Sequence, residues 1–155
     1  NSYNGLVPRV GGFEGGTVTW APTNITYGHN NRSAQFRLPQ NRYCIENRAS
    51  DLTQNPYLTF SLLAAAATEG IDKNMKPPKA TNKSLYDLTE KEKKEVTSLP
   101  RNLLEALDAF ADDKLVPEVF SKAMINNFVG YKYDEWSRYH TTTTDWEIKE
   151  YLKLF

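Results

Sequence analysis

The hydrophobic pattern of the chain changes at Asn55 and Pro56, and this change limits the possible folds more than any other feature. Before it, β-branched and aromatic residues dominate stretches such as "TVTWAPTNITYG" (residues 17–28), a composition typical of strands. After it, apolar residues recur at three- and four-residue intervals, which is the spacing of one helix face. Strands followed by helices indicate an α+β fold. We predict an antiparallel sheet flanked by α-helices.

Three strand-like segments and one loop are predicted in the first part. Pro22 divides residues 17–28 into two strand pieces that meet at a bend or an edge. The segments "SAQFRLP" (33–39) and "RYCIENR" (42–48) flank a Pro-Gln-Asn turn and predict a β-hairpin. The glycine-rich "GGFEGG" (11–16) predicts a flexible loop, which on an enzyme is a candidate lid.

The second part is predicted to be helical. Pro56 stands at a favourable first-turn position before "YLTFSLLAAAATEGI" (57–71), whose nearly continuous apolar surface predicts a helix buried on most sides. Capping-box spacings predict helix starts at Thr89 and Thr144. Between them, an amphipathic helix is predicted from the spacing of Leu103, Leu104, Leu107, Phe110 and Ala111.

Charge and composition exclude several classes of function. Lys and Arg together number 19, as do Asp and Glu, so no overall basic field favours nucleic acid or an anionic membrane. The longest apolar run (57–67) is shorter than the roughly 20 residues of a membrane span, and no signal peptide is recognisable. The single Cys44 excludes an internal disulfide and fits a reducing compartment. We therefore expect a cytoplasmic protein, and its start at Asn1 suggests a fragment of a longer one.

The strongest local charge lies in "NNRSAQFRLPQNRYCIENR" (30–48), which contains a single carboxylate, Glu46. The same segment contains four arginines: Arg32, Arg37, Arg42 and Arg48. Because strand side chains two residues apart share a face, Glu46 and Arg48 are predicted to project to the same side. A hairpin would bring Arg32 and Arg37 within reach of that surface.

This cluster has two interpretations. Ordinary surface ion pairs would contribute about 0–1 kcal/mol each to stability. Alternatively, the planar guanidinium groups form a site for polyanions, since arginine binds carboxylate or phosphate through paired hydrogen bonds. A lone glutamate among arginines would then suit a hard divalent cation that bridges phosphates.

Other candidate residues have simpler explanations. His29 lies in a turn-like stretch, His140 lies at a predicted helix end, and Cys44 has no paired histidine that would make it a nucleophile. Four aromatic residues have a spacing that fits one helix packing on a partner, and no basic groove accompanies them as a nucleic-acid site requires. They are Tyr131, Tyr133, Trp136 and Tyr139.

Four motifs in order resemble those of the glutamine synthetase family. They are "NSYNGLVP" (1–8) for NSYKRLVP, "NNRSAQFRLP" (30–39) for RNRSxxIRIP, "IENR" (45–48) for IE(V/F)R, and "NPYL" (55–58). Further similar segments follow in the family's order: "NKSLYDLTEKEKKE" (82–95), "SLPRNLLEALDAF" (98–110) and "DWEIKEYLKLF" (145–155). The resemblance covers almost the whole chain and is to the C-terminal part of the family's catalytic domain.

The resemblance implies a fold, an activity and partners. Members form an amide from glutamate and ammonia through γ-glutamyl phosphate, using ATP and Mg²⁺ or Mn²⁺, in a barrel of antiparallel strands flanked by helices. They assemble into ring-like homo-oligomers. Residues 1–155 would then be the C-terminal portion of the catalytic domain, without the N-terminal β-grasp domain and the first part of the catalytic domain. Such a fragment is expected to be inactive alone.

The resemblance also implies roles for individual residues. Glu46 corresponds to a metal ligand and Arg48 to the arginine that binds the substrate carboxylate. Arg32 and Arg37 correspond to arginines that bind ATP and stabilise the transferring phosphoryl group, and Arg32 is thereby also a catalytic and substrate-binding candidate. Glu14 is the candidate for the family's flap glutamate, with a solvated loop residue as the alternative.

Two features leave the activity open. Residues 17–33 are closer to the subgroup that joins glutamate to methylamine or other amines than to the ammonia enzymes. Asn4 and Gly5 replace the family's Lys-Arg pair, and Arg9 is the nearest substitute. The alternatives are therefore a ligase, a non-catalytic binding or assembly module of the same family, and a small independent domain with a surface ion-pair network.

Overall fold

The computed structural model describes residues 21–154, which fall into two compact units, one ending at Asn102 and the other beginning at Leu103. The first unit contains β1 (Tyr27–His29), β2 (Phe36–Leu38), β3 (Glu46–Asn47), α1 (Pro56–Asp72), a 3₁₀ turn (Leu85–Asp87) and α2 (Glu90–Lys94). The second contains α3 (Leu103–Asp112), α4 (Val116–Val119), α5 (Lys122–His140), α6 (Asp145–Tyr151) and a 3₁₀ turn (Leu152–Leu154). The predicted α+β class is confirmed.

The three strands of the first unit form one sheet in the order β1-β2-β3. β2 and β3 pair antiparallel, with Arg37 opposite Glu46, so the predicted hairpin is confirmed. β1 and β2 pair in parallel, which makes the sheet mixed rather than wholly antiparallel. Parallel pairing requires the chain to run back from the end of β1 to the level of its start before β2 begins. Because each strand has only two or three residues, this distance is short, and residues 30–35 can cover it.

A close backbone approach joins β1 to residues 81–85. The N–H of Thr81 donates to the carbonyl oxygen of Tyr27 at 2.8 Å, and the N–H of His29 donates to Oδ1 of Asn82 at 2.9 Å. Gly28 lies between these bonds, and a Cβ atom there would be 2.1 Å from the carbonyl oxygen of Thr81. Only glycine fits this position without a shift of the backbone.

Two buried polar residues complete this junction. Nδ2 of Asn31 donates to the carbonyl oxygens of Thr81 and Lys83 at 2.7 and 2.8 Å. Oδ1 of Asn31 accepts from the N–H and the hydroxyl of Ser33, whose own oxygen accepts from the N–H of Leu85. Every polar atom of the Asn31 side chain is therefore used, which is what burial of an amide requires. The network ties the segment between β1 and β2 to residues 81–85.

Helix α1 begins as predicted but is not buried as predicted. Oδ1 of Asn55 accepts from the N–H groups of Tyr57 and Leu58, and Pro56 is the first helical residue. However, no residue of α1 is buried, and the side chains of Tyr57 and Phe60 are 81% and 66% exposed. The prediction of a buried helix was wrong. The spacing of apolar residues reports that a helix has an apolar surface, but not what covers it.

Both predicted capping boxes are confirmed. The Thr89 hydroxyl accepts from the N–H of Glu92 while the Glu92 carboxylate accepts from the N–H of Thr89, at the start of α2. Thr144 and Glu147 make the same reciprocal pair at the start of α6. Each pair satisfies N–H groups that the first helical turn leaves without a partner.

In the second unit, α3 packs against α5. Leu103 and Leu107 are buried, and the rings of Phe110 and Phe128 lie with their centroids 5.3 Å apart. The hydroxyl of Tyr133 donates to Oδ1 of Asp108 at 2.6 Å, and this bond raises the pKa of Tyr133. The predicted amphipathic helix is thus confirmed as α3.

The remaining aromatic residues of α5 differ in exposure: Trp136 is partly buried, and Tyr131 and Tyr139 are exposed. Trp136 stacks on His140, with the ring centroids 5.4 Å apart. His140 is exposed and is the last residue of α5, as predicted. Tyr131 and Tyr139 are exposed, so their packing on a partner stays a prediction. Among residues 21–154, no helix is both long and apolar enough to cross a membrane.

Candidate functional site

The carboxylate of Glu46 is the centre of an arginine cluster. Oε1 accepts from Nη1 of Arg48 at 2.8 Å, and Oε2 accepts from Nη1 of Arg37 at 2.9 Å. A longer bond of 3.4 Å joins Nη2 of Arg42 to Oε2. Three of the four arginines singled out in the sequence therefore meet at the one carboxylate of the segment.

Strand geometry explains why these residues meet. Glu46 pairs with Arg37 across β2 and β3, and directly opposite residues bring their side chains to the same face of the sheet. Arg48 follows Glu46 by two residues and so shares its face. The N–H of Arg48 donates to the carbonyl oxygen of Gln35 at 2.8 Å, which continues the pairing beyond β3.

The members of the cluster differ in burial. The side chains of Arg37 and Arg48 are 14% and 20% exposed, and that of Glu46 is 28% exposed. Arg42 is 60% exposed, so its contact resembles an ordinary surface ion pair. The hydrogen bond from Arg48 lowers the pKa of Glu46, Arg37 acts in the same direction, and partial burial opposes both. Glu46 is therefore ionised at neutral pH.

Arg32 is not part of this cluster. It is exposed, and within residues 21–154 the ion-pair partners of Glu46 are Arg37, Arg42 and Arg48. Its neighbours Asn31 and Ser33 are buried and hydrogen-bonded, so the backbone that carries Arg32 is well anchored. The catalytic and binding roles expected for Arg32 stay predictions.

Asn30 is a site residue that the sequence did not single out. Its Oδ1 accepts from Nη2 of Arg37 at 2.7 Å, and its backbone has φ of 54°, in the left-handed region. Asparagine tolerates this conformation better than most residues. The occurrence of two asparagines directly after a short strand was the available signal, since asparagine commonly follows a strand where the chain turns.

The other candidates are not assembled into a site. Cys44 and His29 are exposed, and no group of three or more His, Cys, Asp or Glu residues within residues 21–154 could hold a metal ion. Glu14, Arg9 and the Asn4-Gly5 pair lie outside the described residues.

The described residues do not by themselves fit a divalent metal. Both oxygens of Glu46 already accept hydrogen bonds from arginines, and Mg²⁺ needs near-octahedral oxygen ligands that the neighbouring guanidinium groups cannot supply. Further ligands would have to come from outside residues 21–154. The metal-ligand role expected for Glu46 stays a prediction.

Comparison with known proteins gives a consistent result. The model of the family "Glutamine synthetase, catalytic domain" matches residues 1–151. The glutamine synthetase of Methanocaldococcus jannaschii is 39% identical over 157 aligned residues, which cover 98% of this chain and 33% of that protein. The chain thus spans about a third of the length of the curated relatives it matches.

Two solved structures are similar to this chain in both fold and sequence. A structure described as "GmaS/ADP complex-Conformation 1" is 32% identical, with a TM-score of 0.79 over 91% of this chain and 33% of that one. A second, "Apo GmaS without ligand", is 32% identical with a TM-score of 0.73 over 85% of this chain and 30% of that one. The family match, the relatives and the fold agree, and the chain belongs to the glutamine synthetase family, within its catalytic domain.

Proposed function

We propose that the chain is part of an ATP-dependent ligase that joins glutamate to ammonia or a small amine through γ-glutamyl phosphate. The observation that carries this proposal is the pair of half-buried arginines, Arg37 and Arg48, held beside each other by Glu46. Both stand at motif positions of the family. Ordered guanidinium groups suit phosphoryl transfer, because its catalysis consists largely of positioning and charge stabilisation.

The reaction has two steps. An oxygen of the glutamate γ-carboxylate attacks the terminal phosphorus of ATP and ADP leaves. The amine then attacks the acyl carbon, inorganic phosphate leaves, and the amine loses a proton to a base, for which Glu14 is the candidate. The family is generally dependent on ATP and a divalent metal, and a bound cation would offset phosphate charge.

Each arginine has a proposed task in these steps. Arg48 binds the carboxylate of the substrate, since its planar fork matches two carboxylate oxygens. Arg37 and Arg32 bind the ATP phosphates and stabilise the phosphoryl group during transfer. Glu46 holds Arg37 and Arg48 in place in the absence of anions, and we propose it as one ligand of the cation beside the phosphates.

Two points of the proposal concern the complete protein. Because the chain spans about a third of its relatives, we expect catalysis to need polypeptide beyond these residues, and we expect assembly into a homo-oligomer. The second point is which amine the complete protein accepts. Relatives named glutamine synthetase favour ammonia, whereas the amine-ligase character of residues 17–33 favours a small amine.

Phosphate release tests the proposal. The natural polypeptide that carries these residues is given ATP, Mg²⁺ and glutamate, with ammonia, methylamine or no amine. We expect release that depends on one amine, that is lost in Arg48→Ala, and that is retained in Arg138→Ala, which removes an exposed pair with Asp134 on α5. A folded, assembled protein without turnover for either amine would contradict a ligase and favour a non-catalytic module.

A further inference from the structure

Arg37 is held by two acceptors on different terminal nitrogens. Nη1 donates to Oε2 of Glu46 at 2.9 Å, and Nη2 donates to Oδ1 of Asn30 at 2.7 Å. A single contact would leave the planar guanidinium free to tilt around it, whereas two contacts fix its plane. The Nε–H of Arg37 is buried and has no hydrogen-bond partner among residues 21–154. The two Nη contacts therefore set the orientation of the group.

Asn30 presents its acceptor from a fixed backbone. Its φ of 54° is one that few residues other than glycine adopt, and its N–H donates to the carbonyl oxygen of Leu38 at 2.9 Å. The next residue, Asn31, is buried and bound to the carbonyl oxygens of Thr81 and Lys83. The backbone at Asn30 is thus anchored to β2 by its own N–H and to residues 81–83 through the neighbouring Asn31.

We propose that Asn30 is a positioning residue that orients the guanidinium of Arg37 for a polyphosphate. This inference rests on the proposed function, because it takes the polyphosphate of ATP as the anion that Arg37 binds. Asn30 acts through Arg37 and not on the substrate. Its amide oxygen orients the arginine without adding the second negative charge that an aspartate would place beside an anion site.

Substitutions separate the backbone role of Asn30 from its side-chain role. Asn30→Gly accepts the left-handed φ and removes the acceptor, while Asn30→Asp tolerates the same φ and keeps an acceptor. The matched control is Asn74→Gly. Asn74 follows α1 and is the other non-glycine residue with positive φ within residues 21–154, at 47°, so this change alters a comparable backbone position outside the cluster.

The first readout is the order of the Arg37 side chain, measured by ¹⁵N NMR of its guanidinium in the 155-residue chain. We expect separate, slowly exchanging Nη signals in the unsubstituted chain, in Asn30→Asp and in Asn74→Gly, and averaged signals in Asn30→Gly. A purely structural role of Asn30 would change the melting temperature but not this signal. Unchanged Arg37 signals in Asn30→Gly would overturn the proposal.

The second readout is the binding of inorganic tripolyphosphate, measured by titration calorimetry. We expect Asn30→Gly to bind about three- to tenfold more weakly, the effect of one weakened hydrogen bond, and Asn74→Gly to bind as the unsubstituted chain does. Equal binding by Asn30→Gly would overturn the proposal. If Arg37 loses order in Asn30→Gly but the unsubstituted chain binds no tripolyphosphate, Asn30 orients Arg37 but not for a polyphosphate, and the proposal is overturned. The proposed function is tested separately, by phosphate release from the natural polypeptide.

Discussion

Arg37 and Glu46 face each other across β2 and β3, with Nη1 of the arginine 2.9 Å from Oε2 of the glutamate. Arg48 bonds the other oxygen of the same carboxylate at 2.8 Å. One glutamate thereby pairs with two half-buried arginines and offsets part of their positive charge, which lowers the repulsion between them. The free energy of this arrangement should depend strongly on the charge of Glu46.

Glu46→Gln is expected to lower the free energy of unfolding by about 1–3 kcal/mol, because it removes the negative charge that pairs with two partly buried guanidinium groups. The measurement is urea unfolding at pH 7. The matched control is Glu90→Gln, which removes the charge of an 84% exposed partner of Lys93 and should change stability by no more than about 0.5 kcal/mol. Equal effects of the two substitutions would contradict the account of the cluster.

The stabilising effect of Glu46 should disappear in acid. Its pKa is lowered in the folded state below the ordinary value of 4.5, so its contribution is complete above that pH. The contribution is lost as the pH falls through the folded-state pKa. We therefore expect the stability difference between the unsubstituted chain and Glu46→Gln to be constant from pH 7 to about pH 5 and to shrink below it. A difference that persists unchanged at pH 3 would argue against the assignment.

Glu92 should titrate even lower. The hydrogen bond from Lys83 and the N–H and hydroxyl of Thr89 lower the pKa of Glu92 to about 2. Carbon NMR of the Glu92 carboxylate should follow this value, and Lys83→Met should raise the pKa part of the way back to 4.5. Lys91→Met removes a neighbouring charge of α2 that is not among these causes and serves as the control. If the pKa of Glu92 is the same in Lys83→Met as in the unsubstituted chain, the bond from Lys83 is not the cause of the shift.

Gly28→Ala is expected to destabilise the first unit by about 1–3 kcal/mol, because the added Cβ would meet the carbonyl oxygen of Thr81 at 2.1 Å. Gly70→Ala in α1 is the control, since its Cβ would have no neighbour within 4 Å. That change should stabilise the helix by about 0.5–1 kcal/mol. Opposite signs in thermal unfolding support the close junction between β1 and residues 81–85, and a neutral Gly28→Ala would contradict it.

The arginine cluster was largely predictable from the sequence, because the two-residue period of strands fixes which side chains share a face. That rule predicted that Arg48 lies on the same face as Glu46, and the predicted hairpin placed Arg37 on the neighbouring strand. The structure confirms both contacts. Asn30 was not predicted, since its role depends on a positive φ that only the folded turn reveals. The parallel pairing of β1 with β2 was missed for a similar reason, because short strands give no pattern that distinguishes the two directions.

For helix α1, the sequence predicted where the helix begins but not how far it is buried. Its start at Asn55 and Pro56 was predicted from capping chemistry, which is local and is read directly from a few residues. Its burial was predicted wrongly, because the sequence of a helix does not report which residues pack against it. Exposed apolar side chains on one helix, such as those of Tyr57 and Phe60, are typical of a surface that contacts other polypeptide.

We propose above that these arginines serve a ligase that forms γ-glutamyl phosphate. The most direct test of this proposal follows oxygen from glutamate to phosphate in the natural polypeptide, using ATP, Mg²⁺, the accepted amine and glutamate labelled with ¹⁸O in its γ-carboxylate. The account predicts that the released phosphate carries labelled oxygen and that Arg48→Ala abolishes this product. Released phosphate without the label, or labelled phosphate formed equally well by Arg48→Ala, would contradict it.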